Sequence, residues 1–262
     1  MPDTGTHEEA TPWRLLAANN HGKLETIANA VGTTELAANA VTTAKVTDAN
    51  ITAAKLATNS VTTIKITDEG ARSTIESNNL VDNEGQSIQI QASNVVIKLN
   101  TIDADSSSIA VVILDSNSAF IENNTIEGGL QGIKVQNSTN AFIYKNTVKS
   151  NSGYGIYLLM NSTSGEVKNN NLSDNEDSAI VISASNSTEI FNNTIKENAG
   201  YGFVALNSKL LVVKGNTIEE NDGGLKYNNC DYCNLTFNKV DENGGYGLWL
   251  LSGSNNNTIK HN

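Results

Sequence analysis

An asparagine followed two residues later by an aliphatic residue recurs through most of the chain at intervals of 22 to 24 residues. The aliphatic residues that follow it are Leu80, Ile102, Ile126, Val148, Leu172, Ile195, Ile218 and Val240. Another aliphatic residue lies three positions before each of these asparagines. The asparagines are Asn78, Asn100, Asn124, Asn146, Asn170, Asn193, Asn216 and Asn238, and Asn262 keeps the phase. A fixed period of this length is typical of a solenoid.

A second apolar motif lies near the middle of each repeat, where two apolar residues are separated by one position. The pairs are Ile88/Ile90, Val111/Ile113, Ile133/Val135, Ile156/Leu158, Ile180/Ile182, Phe203/Ala205, Leu225/Tyr227 and Leu248/Leu250. This spacing predicts short strands with alternate residues pointing inward. About three such strands per repeat, stacked coil on coil, would bury a continuous aliphatic core. We therefore predict an all-β protein in which residues 71–262 form a parallel β-helix of about eight coils.

The recurring asparagine has a structural explanation in such a fold. Asparagine tolerates the left-handed backbone conformation of a turn. Each copy would lie roughly 4.8 Å from the next one. Its amide could then donate to the side-chain carbonyl of the neighbouring asparagine, as stacked asparagines do in cross-β structures. The eight asparagines therefore predict an inward ladder.

These repeats resemble those of the pectate-lyase-like superfamily, and more closely its short parallel β-helix repeats. Repeats of that kind occur in surface proteins, phage tailspikes and carbohydrate-active enzymes. The resemblance covers about 190 of 262 residues. The resemblance implies a right-handed parallel β-helix but says little about function, because one fold supports many activities.

A shorter repeat precedes the predicted helix. From position 31 an aliphatic residue occurs at every fifth position: Val31, Leu36, Val41, Val46, Ile51, Leu56, Val61 and Ile66. One thin apolar stripe cannot close a core within one chain, but three chains wound together can. The decads resemble trimeric phage tail-fibre shafts, so residues 31–70 predict a thin homotrimeric fibre shaft. The alternative is a pentapeptide-repeat solenoid within one chain.

Residues 1–30 are interpreted as an N-terminal anchor that attaches to a tail or baseplate protein. Two partly apolar runs, Trp13–Ala18 and the run that begins at Leu24, are compatible with short amphipathic helices that dock onto another protein. The alternative is a floppy N-terminal tail. The first 20 residues lack the apolar stretch of a signal peptide, and no stretch reaches the roughly 18 apolar residues of a membrane span. These features favour a component of a virion or extracellular particle over an ordinary secreted protein.

The charge of the chain also limits its partners. Seventeen Lys and Arg against 28 Asp and Glu give a net charge of −11, with no basic stripe along the sequence. A nucleic-acid partner is therefore not expected. Cys230 and Cys233 form a single CxxC motif, which is half of a zinc site at best. We interpret them as two inert thiols, with a redox or metal role as the alternative.

Acidic residues recur four positions after the asparagine of four successive repeats. They are Asp174, Glu197, Glu220 and Glu242. Three roles remain open for this acidic column: turn residues in solvent, a shared Ca²⁺ site, or catalytic carboxylates. Otherwise no cofactor is expected. Family lyases imply an arginine or lysine base, but the only arginines are Arg14 and Arg72.

Aromatic residues supply a second candidate site. Tyr154, Tyr201 and Tyr246 each lie in a Gly-Tyr-Gly motif on every second repeat, and Tyr157 and Trp249 share an outward strand position. Tyrosine offers a sugar ring an apolar face and a polar hydroxyl. These five residues are the glycan-binding candidates. The alternative is that the motif is turn chemistry, with tyrosine covering an edge.

Together these features predict a structural and receptor-binding tail fibre or tailspike that presents its β-helix to host-surface glycans. One alternative is a tailspike polysaccharide depolymerase, and another is a secreted cell-surface β-helix protein. The apolar residues of the last repeat would be exposed at an open end. We therefore expect Asn262 to be covered by another copy, another protein or further chain.

Overall fold

The repeats of the sequence form three parallel sheets wound around a common core. The computed structural model describes residues 73–262 in full and, before them, the backbone of Ala17–Ala18, Leu24–Glu25 and Ile64–Ile66. The chain divides into two units, Met1–Ala57 and Thr58–Asn262. The predicted anchor and shaft lie outside the described residues, apart from these three strands.

In the first unit, Ala17–Ala18 pairs with Leu24–Glu25 in antiparallel orientation. The prediction of helices is therefore wrong for these four residues. In the second unit, Ile64–Ile66 pairs in parallel with Ile88–Ile90. The parallel sheet thus extends beyond the predicted boundary at residue 71 into the segment assigned to the shaft.

The chain passes through the three sheets in turn, once per coil. Sheet I contains Ile64–Ile66, Ile88–Ile90, Ile109–Leu114, Gln131–Gln136, Ile156–Leu159, Ile180–Ser183, Tyr201–Leu206, Gly223–Asn228 and Leu248–Leu250. Sheet II contains Thr74–Glu76, Val96–Lys98, Phe120–Glu122, Phe142–Tyr144, Glu166–Lys168, Glu189–Phe191, Val212–Lys214, Asn234–Thr236 and Thr258–Lys260. Sheet III contains Asn79–Asn83, Thr101–Ala104, Thr125–Glu127, Thr147–Lys149, Asn171–Ser173, Thr194–Lys196, Thr217–Glu219 and Lys239–Asp241. The predicted all-β parallel helix of about eight coils is confirmed.

The core is a set of aliphatic columns, one for each inward strand position. Ile121, Ile143, Val167 and Ile190 are aligned on four successive strands of sheet II, and each is fully buried. A strand of three residues buries one such side chain. Burial of apolar surface is favourable in proportion to area, so the stability of the helix comes from stacking coils.

The recurring asparagines form a hydrogen-bonded chain at the turn between sheets II and III. The backbone N–H and Nδ2 of each one donate to Oδ1 of the next, at 2.8 to 3.1 Å. Those from Asn100 to Asn238 are buried. We call this chain the first asparagine ladder.

Two further ladders close the remaining turns. A second asparagine ladder joins Asn151, Asn175, Asn198, Asn221 and Asn243 through side-chain contacts of 2.8 to 3.0 Å. A serine ladder runs through Ser116, Ser138, Ser162, Ser185 and Ser208, with each backbone N–H donating to the next Oγ. Buried turn groups therefore have partners at these corners, as a dry core requires.

Candidate functional site

A groove lies on the outward face of sheet I. One outward column runs through Tyr157, Val181, Val204, Lys226 and Trp249, which are aligned on five successive strands. Val181 and Val204 point out of the helix but are only 3% and 8% exposed. They form a sheltered apolar floor.

The groove has a volume of about 380 Å³. Its lining combines aromatic, apolar and charged side chains: Tyr154, Asp177, Ser178, Val181, Gly200, Tyr201, Val204, Leu206, Asp222 and Lys226. Apolar walls with a few polar groups are typical of binding sites for small ligands and sugars.

The tyrosines of the Gly-Tyr-Gly motifs alternate with small residues in one column. Backbone hydrogen bonds place Tyr154, Ser178, Tyr201, Gly223 and Tyr246 at the same position of successive coils. The ring of Tyr201 lies over Gly223, where an added β-carbon would be 2.4 Å from Cε1. A small residue on alternate coils therefore gives each ring room to lie along the helix axis.

The five aromatic residues predicted from the sequence form two groups on this face. Tyr154 and Tyr157 meet edge to face, with ring centroids 5.2 Å apart. Trp249 lies 5.1 Å from Tyr246 and 6.4 Å from Tyr201 between ring centroids. The structure thus brings together residues from coils that are far apart in sequence.

Lys226 is a member of the second group that the sequence did not reveal. Its Nζ lies 5.2 Å from the ring centroid of Tyr201 and 5.0 Å from that of Trp249. Both distances are typical of cation–π contacts. A lysine one strand before a tryptophan gives no sequence signal, so only the alignment of coils identifies it.

Two carboxylates complete the polar lining. Asp177 accepts hydrogen bonds from the backbone N–H and Oγ of Ser178, at 2.6 and 3.2 Å. Among the described residues, the carboxylate of Asp222 has no hydrogen-bond or ion-pair partner. Burial raises the pKa of Tyr154, and the charge of Asp177 raises it further. Burial and then Asp222 raise the pKa of Tyr201, so both hydroxyls can donate at neutral pH.

The acidic column lies elsewhere, at exposed turns that follow sheet III. Asp174, Glu197, Glu220 and Glu242 have φ angles of 52° to 58°, the left-handed region. Lys196 contacts Glu220 at 2.8 Å, and this contact lowers the pKa of that carboxyl. Within residues 73–262, no group of three or more His, Cys, Asp or Glu side chains is placed to hold a metal.

The CxxC motif lies inside the core. Cys230 and Cys233 are buried free thiols, and the backbone N–H of Cys230 donates to Ser254 Oγ at 3.2 Å. Burial raises the pKa of Cys233 to about 11 and also raises that of Cys230. A thiol is nucleophilic or binds metal as its thiolate, so neither group has the character of a reactive cysteine.

The fold and the groove define a class: a right-handed β-helix with an aromatic groove on one outward face. A family model for the right-handed beta helix region matches residues 109–262. The chain belongs to this family. Within the described part of the chain, no helix is long and apolar enough to cross a membrane.

Solved structures share this fold at low sequence identity. The periplasmic alginate epimerase AlgG is 17% identical with a TM-score of 0.64, covering 72% of this chain and 49% of the epimerase. The A-module of Azotobacter vinelandii mannuronan C-5 epimerase AlgE6 is 16% identical with a TM-score of 0.64. The match covers 73% of this chain and 58% of the epimerase chain. This chain thus spans about half the length of these epimerases.

A phage protein also shares this fold at low sequence identity. The enzymatically active domain of bacteriophage CBA120 tailspike protein 2 is 11% identical with a TM-score of 0.63, covering 76% of this chain and 36% of the tailspike chain. Identities this low show a common fold and leave activity open. No curated protein matches this sequence.

Proposed function

We propose that this chain is a receptor-binding tail fibre or tailspike of a virus or phage-like particle, and that the sheet I groove binds a host-surface glycan. The aromatic groove carries this proposal. Tyr201 and Trp249 offer ring faces to sugar rings, and the protonated tyrosine hydroxyls offer donors to sugar oxygens.

The scaffold is suited to binding an extended polysaccharide. Every strand of the groove is paired with a neighbour on each side, from Ile156–Leu159 to Gly223–Asn228. A site on paired strands is held before the ligand arrives, which reduces the conformational entropy lost on binding. Tyr154 and Tyr201 are two coils apart, on the order of 10 Å and close to a disaccharide step.

Two observations support the particle assignment. The decads of residues 31–70 resemble fibre shafts, and a bacteriophage tailspike is among the proteins that share the fold. A homotrimer attached to the tail through residues 1–30 would present three grooves. Several grooves acting together would strengthen weak individual contacts.

The test uses the intact chain and a panel of purified bacterial capsular and O-antigen polysaccharides. Replacing Tyr201 and Trp249 with alanine should weaken binding of the recognised polysaccharide by about tenfold or more, since two stacking platforms are lost. The matched control is Tyr232→Ala, which removes an exposed ring on a different turn. The proposal is wrong if the wild-type chain binds none of the polysaccharides, or if the double variant binds as well as the control.

The two aspartates of the groove favour a second candidate function, a polysaccharide depolymerase. Asp177 and Asp222 are two coils apart, on the order of 10 Å. This is near the upper end of the carboxyl separation in inverting glycoside hydrolases. Release of reducing ends from the bound polysaccharide, abolished by Asp222→Asn with binding retained, would establish this activity. A wild-type protein that binds without releasing reducing ends would exclude it.

A further inference from the structure

From Tyr144 to Lys214, the outward column of sheet II alternates aromatic and basic side chains. The third residues of six successive strands are Tyr144, Lys168, Phe191, Lys214, Thr236 and Lys260, aligned by backbone pairing. Lys145 and Phe237 lie at the adjoining turn. We call Tyr144, Lys145, Lys168, Phe191, Lys214, Phe237 and Lys260 the lysine–aromatic stripe. It lies on a different sheet from the groove.

The lysines of this stripe differ in their partners from lysines elsewhere on the helix. Lys98, Lys149, Lys196, Lys209 and Lys239 each form an ion pair with a glutamate or aspartate. Within residues 73–262, none of the four stripe lysines has a carboxylate within ion-pair distance. The two other unpaired lysines of this region, Lys134 and Lys226, lie on sheet I. A chain of net charge −11 therefore collects unpaired cations on one outward face.

Two of the three aromatic rings of the stripe lie against these cations. Lys145 Nζ is 4.9 Å from the ring centroid of Tyr144, and Lys214 Nζ is 5.8 Å from that of Phe237. Phe237 also stacks on His261, with ring centroids 5.0 Å apart. Hydrogen bonds to Lys145 and Asn169 lower the pKa of Tyr144, and the charges of Lys145 and Lys168 lower it further.

Carboxylates mark the limits of the stripe. Glu122 occupies the same strand position as Tyr144 on the preceding coil. Glu166 and Glu189 lie side by side, two residues before Lys168 and Phe191 on their strands. An anionic ligand would be repelled at these borders and held along the column of lysines.

We propose that the lysine–aromatic stripe binds an acidic polysaccharide with about one carboxylate per disaccharide, laid along the helix axis. Lys168, Lys214 and Lys260 follow one another at two-coil intervals, on the order of 10 Å. One carboxylate per disaccharide repeats at a similar distance. The ring of Phe191, on the coil between Lys168 and Lys214, faces the sugar between two charges. Duplex DNA carries one phosphate per about 3.4 Å of helix axis on each strand, a much higher density of charge than that of these lysines.

The experiment measures binding of the intact chain to hyaluronan oligosaccharides, which carry one carboxylate per disaccharide. Neutral dextran and duplex DNA of matched length are the comparison ligands. The wild-type chain should bind hyaluronan at low salt and lose affinity as NaCl approaches 0.2 M, because exposed charges are screened. It should bind DNA more weakly and dextran not at all through this surface.

Paired variants test the surface itself. Replacing Lys168 and Lys214 with glutamine should weaken hyaluronan binding by about tenfold, since two charged contacts are lost. Replacing Lys149 and Lys239, which are ion-paired on sheet III, is the charge-matched control and should change affinity less than about twofold.

Three results would overturn the proposal. The first is no hyaluronan binding by the wild-type chain at low salt, and the second is an equal loss of affinity in the two double variants. The third is DNA binding tighter than hyaluronan binding. The groove variant with Tyr201 and Trp249 replaced should keep its hyaluronan affinity. Loss of that affinity would place the ligand in the groove and refute a separate site, whatever the outcome for the groove's own ligand.

Discussion

A buried asparagine of the first ladder makes contacts that no other side chain reproduces. Asn170 Nδ2 donates to Ile143 O at 2.9 Å and to Asn193 Oδ1 at 3.0 Å. Its Oδ1 accepts from the backbone N–H and Nδ2 of Asn146. One amide thus satisfies groups on both adjacent coils, in a core that water does not reach.

Replacing Asn170 with alanine should lower the free energy of unfolding by about 2–3 kcal/mol, because buried donors and acceptors on the neighbouring coils lose their partner. The matched control is Asn171→Ala. Asn171 is exposed, and its side chain has no hydrogen bond to any described residue. The control should change stability by less than about 0.5 kcal/mol. Equal denaturant midpoints for the two variants would contradict a structural role for the ladder.

The buried thiol of Cys233 makes the free energy of unfolding depend on pH. An unfolded thiol loses its proton near pH 8.5, whereas Cys233 in the folded chain keeps it until about pH 11. Below pH 8.5 the thiol is protonated in both states, so its contribution to the free energy of unfolding is constant. Between these values only the unfolded state is deprotonated, so the free energy of unfolding should fall as pH rises.

Denaturant titrations from pH 7 to pH 11 measure this effect. Cys233→Ala should give a shallower decline than the wild-type chain, and alanine already occupies this position of the coil at Ala119 and Ala141. The native chain should also resist a thiol reagent at pH 8 until it is unfolded. Identical pH profiles for the variant and the wild type would show that burial does not hold the proton on Cys233.

At the scale of the element, a strand of this protein is too short to be stable alone. Glu166–Lys168 has three residues and pairs in parallel with Phe142–Tyr144 on one side and Glu189–Phe191 on the other. Its conformation therefore depends on its neighbours. A change in one strand is felt on the next coil at the same position, as the contact between Tyr201 and Gly223 shows.

Gly223→Ala should displace the Tyr201 ring and weaken glycan binding about fivefold, the loss of roughly 1 kcal/mol from one stacking platform. The fold should persist, since the ring can swing toward solvent. Gly85→Ala is the control, because no heavy atom lies within 4 Å of its added β-carbon. Trp249 fluorescence, measured with Trp13 replaced by phenylalanine, reports the ring movement, and titration reports the affinity. Unchanged affinity in Gly223→Ala would show that the position of this ring is not needed for binding.

At the scale of the whole molecule, a three-fold shaft would bring three grooves together in one oligomer. Three-fold winding of residues 31–70 would make the intact chain a trimer of 27.9 kDa copies. Sedimentation equilibrium of the full chain at micromolar concentration measures this directly. A folded monomer would instead support the pentapeptide-repeat solenoid, in which each chain closes its own core.

The sequence by itself determined the coil. Because inward and outward positions alternate along every strand, a repeated apolar pair fixes which residues form the core. The phase of Asn146, Asn170 and Asn193 fixes which side chains stack, since copies at equal positions in successive coils must be neighbours. The positions of the five aromatic residues in the repeat likewise predict two columns, one with Tyr154, Tyr201 and Tyr246 and one with Tyr157 and Trp249.

Only the tertiary structure decided how unlike residues meet across coils. Lys226 lies between Tyr201 and Trp249 because the lengths of the intervening turns fix the register of three strands. The sequence predicted no basic stripe, yet Lys168 and Lys214 share one outward column. Whether a lysine has a carboxylate partner depends on which residue the next coil places beside it. That neighbour is 20 to 24 residues away, and a charge count along the chain does not contain this information.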